Sequence, residues 1–154
     1  KTEKVFEQIQ LLNKMGHKPV GLFMLGYPTE TWDDIMETIR FSLSLDLRRA
    51  QFAIFHPLPG SPIFEEMMAN GDLDDIVWTN LKPEQVAFKH PHLSERQLLF
   101  LQKYAFLRFH LRPKIVWATL KDMRESGNAA YVIKRIFSYL TSGWSWPGKA
   151  SDTA

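Results

Sequence analysis

Apolar residues recur at helical spacing at the start of the chain, at Val5, Phe6, Ile9, Leu12 and Met15. Gly16 then supplies a left-handed helix stop. The run Val20 to Leu25 is short and almost continuously apolar, which predicts a strand buried on both faces, as in parallel sheets. Gly26 to Glu30 has turn chemistry. Thr31 is positioned as an N-cap, with Asp33 and Asp34 adding negative charge to the first turn of a helix lined by Ile35, Met36, Ile39 and Leu43. Gln51 to Phe55 predicts a second strand. His56-Pro57-Leu58-Pro59-Gly60 must leave it as a loop, because proline cannot donate to a sheet ladder. Ser61 caps a third helix with Pro62 at its first position.

Two strands joined by a helix imply a right-handed parallel crossover. Two strands alone do not make a stable parallel sheet covered on both faces, so further strands are expected, and uncovered edges predict self-association or a substituted strand pairing. Residues 71–93 read as a linker or packed loop, with Asp72, Asp74 and Asp75 in a turn and Pro83 and Pro91 interrupting regular structure. Ser94 and Gln97 have capping-box spacing at the head of a helix running to Leu111. Its apolar residues Leu98, Leu99, Leu101, Ala105, Phe106 and Phe109 spread over most of the circumference, the pattern of a helix buried between elements. Arg112-Pro113 breaks it. Ile115, Val116, Thr119, Leu120 and Met123 continue a helix to Gly127, and Val132, Ile133, Ile136, Phe137 and Leu140 line another. The organisation expected is therefore residues 1–70 as a β/α part, 71–93 as linker or packed loop, 94–143 as a helical extension and 144–154 as a disordered tail.

Composition narrows this picture. The 154 residues suffice for one domain with a real core, and 45% hydrophobic with 13% aromatic content argues for a folded chain. There is no cysteine, so disulfides and thiolate metal sites are impossible and a cytoplasmic setting is compatible. No apolar run reaches the roughly 18 residues a membrane span needs. The absence of an initiator Met, with a helical pattern beginning near position 1, leads to the expectation of excision from a longer protein. The net charge of +2 implies no partner by itself. Basic residues are concentrated after Ser94, where Arg108, Arg112, Lys114, Lys121, Arg124, Lys134 and Arg135 alternate with Phe109, Trp117 and Tyr131. Those aromatics fall mostly on apolar faces, which favours core packing over base stacking.

The segment Gly21 to Thr31, GLFMLGYPTET, is the most specific. Gly26 permits a close backbone approach or an unusual φ, Pro28 stiffens the turn, and Glu30 lies beside a helix N-terminus, where a carboxylate is favoured. Phe55 to Phe64, FHPLPGSPIF, follows the second strand, and its loop would open at the same end of the sheet. His90-x-His92 lacks a convincing third metal ligand and reads as loop. Asp33-Asp34 is explained by the helix dipole. No phosphate-binding or dinucleotide-binding glycine motif is present.

Met24-Leu25-Gly26-Tyr27-Pro28-Thr29-Glu30-Thr31 and Pro57-Leu58-Pro59-Gly60-Ser61-Pro62 together resemble the final two β/α units of radical S-adenosylmethionine (SAM) enzymes. The branch resembled is the one that often carries a cobalamin-binding domain, including the anaerobic magnesium-protoporphyrin IX monomethyl ester cyclase type. Arg108-Phe109-His110-Leu111-Arg112-Pro113 resembles an Arg-Pro element in the helical tail of that branch, so the resemblance covers about Lys4 to Pro113. It implies an α/β fold: the last two β/α units of a partial (β/α)6 barrel, followed by an α-helical extension. It implies a cytoplasmic iron–sulfur oxidoreductase that uses SAM and a 4Fe–4S cluster, and cobalamin through an upstream domain. With no cysteine, the cluster ligands lie outside this chain, and the isolated chain is expected to be inactive. The resemblance implies as partners the missing N-terminal half of the barrel and a small-molecule substrate. Met24, Gly26, Pro28 and Glu30 would then line the SAM pocket, with Phe55, His56 and Pro57 closing it from the next strand. No catalytic residue and no metal ligand is assigned. Readings of other classes are a non-enzymatic basic helical module binding nucleic acid or anionic surfaces, in which Arg124, Lys134 and Arg135 carry the interaction, and a fragment of an unrelated barrel enzyme.

Overall fold

A computed structural model of the protein describes residues 2–73 and 86–126. The elements are α1 (Thr2–Lys14), β1 (Val20–Leu25), α2 (Trp32–Ser44), β2 (Arg49–Ile54), α3 (Pro62–Ala69), α4 (Glu95–His110) and α5 (Pro113–Ser126). Each boundary has a local cause. Gly16 ends the first helical segment at φ +82°. Thr31 caps α2 in a reciprocal box with Asp34, and Ser94 does the same for α4 with Gln97. Ser61 caps α3 with Pro62 at its start.

β1 and β2 are parallel, in register from Val20 opposite Arg49 to Leu25 opposite Ile54. Side chains alternate between the two faces. Leu25, Ala50, Phe52 and Ile54 are buried on one face, where α2 and α4 cover the sheet with Ile35, Ile39, Leu98, Leu101, Ala105 and Phe109. Phe23 stacks on Phe52 with ring centroids 5.3 Å apart, and Phe52 meets Phe109 edge-on at 6.3 Å. Full burial of such a ring contributes on the order of 1.5–3 kcal/mol. The other face is open: Val20, Leu22 and Met24 are 57%, 77% and 54% exposed. The expectation of strands buried on both faces is thus corrected; the apolar run of β1 is continuous in sequence but covered on one side only.

Arg112 fastens the helices below the sheet. Its guanidinium lies 4.0 Å from the centroid of Phe109 and donates to the carbonyls of Leu43 and Leu45, which end α2. The Arg112-Pro113 pair is therefore a structural joint: the arginine satisfies open carbonyls of one helix and the proline begins the next.

The barrel expectation is also corrected. Among the described residues there is one two-stranded parallel sheet with five helices, and no barrel of β/α units. A barrel requires every strand to be paired on both sides. Here β1 and β2 pair with each other, and Gln102 of α4 occupies the Phe52 carbonyl of β2 at 2.8 Å. The chain is α/β with helices layered on one sheet face. The patterned segment 132–140 and the tail 144–154 lie outside the described residues, as does most of the expected linker. No helix among the described residues is long and apolar enough to cross a membrane.

Candidate functional site

The parallel register brings the two motif loops to the same end of the sheet. Phe55 N–H donates to the Leu25 carbonyl at 2.8 Å, extending the pairing one step beyond the strands. Gly26 then turns the first loop at φ +79°, a conformation side chains disfavour by about 1–2 kcal/mol. A Cβ there would also lie 2.9 Å from Leu98 Cδ2, so a larger residue would have to push that buried side chain aside. Glu30 folds back over this turn. One carboxylate oxygen, Oε2, accepts the backbone N–H of Gly26 at 2.7 Å and of Tyr27 at 3.0 Å. Glu30 N–H in turn donates to the Tyr27 carbonyl at 2.8 Å. The loop is thus braced by a charge-assisted pair of hydrogen bonds at the entrance to α2.

The second loop supplies an aromatic floor. Tyr27 meets Phe55 edge-on at 5.0 Å, and Phe55 meets Phe88 at 5.8 Å and 88°. Phe55, Phe64, Met67, Leu73 and Phe88 form a second apolar cluster, with Tyr27 and Ile63 against it. This cluster fills the space beyond the carboxyl ends of the strands, separate from the core beneath the sheet.

The seven residues read from the sequence divide accordingly. Gly26, Glu30 and Phe55 come together in the braced loop and its floor. Pro28 and His56 are half-buried beside them. Pro57 is fully buried and offers shape rather than surface. Met24 lies on the open sheet face, the last such residue of β1 before the Gly26 turn, level with Ala53 of β2.

Tyr27 carries no assigned role in the sequence motif, and His90 reads there only as half of a His-x-His pair in a loop. His90 Nε2 lies 3.0 Å from the Tyr27 carbonyl, while its Nδ1 accepts the backbone N–H of His92 and of Leu93, both at 3.1 Å. Both ring nitrogens are therefore engaged with backbone, which leaves His90 no lone pair for a metal. No group of three metal-ligating side chains exists among the described residues. Burial pushes the His90 pKa below its ordinary value; the hydrogen bond to Tyr27 opposes this, His92 reinforces it and Glu30 opposes it. Of the basic residues after Ser94, Arg112 is held by carbonyls and Lys114 pairs with Asp46, while Lys134 and Arg135 lie outside the described residues.

The chain is similar to an uncharacterized methyltransferase of Pyrococcus horikoshii, at 31% identity over 133 residues. The match takes in 86% of this chain, which spans 28% of the relative's length. No protein-family model matches the chain, and no solved structure matches it. These findings overturn the resemblance to radical SAM enzymes. The relative is named a methyltransferase, no radical SAM family model matches, and a chain without cysteine carries no thiolate for an iron–sulfur cluster. The iron–sulfur oxidoreductase, cyclase-like and cobalamin assignments go with it.

Proposed function

We propose that this chain forms part of a SAM-dependent methyltransferase, and that the carboxyl end of its sheet contributes one wall of the methyl-donor site. The observation that carries the reading is the convergence of the Gly26–Glu30 and Phe55–Pro57 loops at one end of a parallel strand pair, the end where α/β sheets bind ligands. The name of the relative supplies the reaction class.

The residues present suit such a donor. Met24, Leu22 and the half-buried Ala53 offer an apolar strip on the open face against which a purine ring can lie, with the Met24 thioether a soft contact for an aromatic ring. The Glu30 carboxylate puts negative charge at the same end of the sheet, favourable to a sulfonium or ammonium cation. SAM, when bound, supplies an electrophilic methyl group to a nucleophile of a small-molecule acceptor. The contribution of this chain is binding and orientation: Glu30 fixes the turn, Gly26 permits it, and the Phe55 cluster keeps water from beneath the loop.

The test is equilibrium dialysis of radiolabelled SAM against the protein. Saturable binding is expected, weakened at least about tenfold by Met24→Asp, which replaces the apolar contact with a charge. Leu11→Asp, on the exposed side of α1, should leave it unchanged. Absence of saturable binding, or equal weakening by both substitutions, overturns the reading.

A further inference from the structure

Residues 86–93 form no helix or strand, yet Val86, Ala87, Phe88, His90 and Leu93 are buried. The His90 side chain ties the segment to the loop after β1 by a hydrogen bond. A ring nitrogen that accepts two N–H groups carries no proton, so the His90 proton resides on Nε2, from which it is donated to the Tyr27 carbonyl. The three hydrogen bonds thus specify a neutral ring in one tautomer. Phe88, two residues earlier, packs on Phe55, so the same segment also supports the aromatic floor.

We propose that His90 is a proton-sensitive latch: neutral, it pins the loop carrying Gly26 to Glu30 to the 86–93 segment, and protonated, it releases both. Taking up a proton from solvent places an N–H at Nδ1, pointing at the two N–H donors of His92 and Leu93. Two attractions become repulsions, and the turn that presents His90 to Tyr27 loses its internal support. Among the described residues, the charged groups acting on the ring are Glu30, from the loop after β1, and His92, from its own segment. Tyr27 meets the ring through its backbone, and Phe88 is uncharged. Glu30 favours the imidazolium, but it is tied to Gly26 and Tyr27 N–H, and burial outweighs it. The depressed pKa agrees with a ring built to be neutral. The inference depends on the proposed function only for what the loop serves.

The test is nitrogen NMR of the histidine rings with amide hydrogen exchange, on the full chain, from about pH 8 to about pH 5. At the upper end His90 is expected to show an unprotonated Nδ1 and a protonated Nε2. Below the ring's pKa the protection factors of the His92 and Leu93 amides should fall about tenfold per pH unit, following the neutral fraction, before those of Leu101 and Ala105 in α4 change. In His90→Asn the side-chain oxygen accepts the same amides without titrating, so their protection should be independent of pH. A proton on Nδ1 at neutral pH, amides that stay protected through the titration, or parallel loss in His90→Asn each overturn the latch. Should His90→Asn not fold, the ring shifts and the native amides decide. Failure to bind SAM at neutral pH would overturn the proposed function and leave the latch standing.

Discussion

Gln102 of α4 donates its side-chain amide to the carbonyl of Phe52 at 2.8 Å, from a position that is 1% exposed. Phe55 N–H bonds to β1, and alternate residues of a parallel strand bond to the same side, so the Phe52 carbonyl points away from β1. Gln102 therefore satisfies the outer edge of β2 from within the core. Gln102→Leu keeps the volume but removes a buried hydrogen bond to that carbonyl, which costs about 1–3 kcal/mol. Urea unfolding should show a lower midpoint with an unchanged slope. A midpoint equal to the native one would mean that water or backbone reaches the carbonyl instead.

Glu30 supports the loop after β1 by accepting two N–H groups on one oxygen. Glu30→Ala should lower stability by about 1.5–3 kcal/mol, since both donors lose a charged acceptor. Glu30→Gln retains an acceptor oxygen of the same reach and should recover part of the loss. Thermal unfolding of the two variants distinguishes this bracing role from a general helix-dipole effect, for which both substitutions would cost alike.

Much of the local structure was legible because its causes are local. The strand Val20 to Leu25, the caps at Thr31, Ser61 and Ser94 and the break at Arg112-Pro113 all follow from residues within one turn of their effect. The second strand was displaced: the apolar run pointed to Gln51–Phe55, but pairing with β1 fixes Arg49–Ile54 and frees Phe55 for the loop cluster. Leu22 and Met24 look like core in the sequence, because an apolar side chain carries no mark of which face will be covered. The latch joins residues 63 positions apart, and His90 differs from a loop histidine only through a fold that brings Tyr27 to it. Gln102 did leave a trace, as a lone polar residue in the stripe Leu98, Leu101, Ala105, Phe109.

His110 makes stability depend on pH. Its Nδ1–H donates to the Phe106 carbonyl at 2.9 Å, and its ring lies 4.1 Å from that of Phe106. Burial is the main cause of a folded pKa below the ordinary 6.5; the Phe106 hydrogen bond opposes it, and repulsion from Arg112 and Arg49 adds to it. The unfolded chain therefore binds a proton more readily, and stability rises with pH across this window. The contribution is complete above about 6.5 and is lost as pH falls through the lower folded value. His90 acts with the same sign. Asp34, held below 3.8 by its hydrogen bonds to Thr31, acts only in a more acidic window. Urea midpoints should decline on acidification from about pH 7.5 to about pH 5, and less steeply in His110→Gln. A decline equally steep in that variant would assign the effect to other groups.

The two faces of the strand pair should respond to substitution in opposite ways. Phe52 is wholly buried against Phe23 and Phe109, so Phe52→Ala leaves a cavity and should cost about 3–5 kcal/mol. Leu22, in register with Gln51, projects from the open face at 77% exposure. Leu22→Asp removes few contacts and should change stability by no more than about 1 kcal/mol, the span of strand propensity. It should also raise solubility, because Val20, Leu22 and Met24 present a contiguous apolar strip that invites association. Light scattering at increasing concentration, read beside urea unfolding, tests both halves. If Leu22→Asp unfolds the protein as Phe52→Ala does, the open face is covered in solution. If stability holds and association falls, the strip is free to bind.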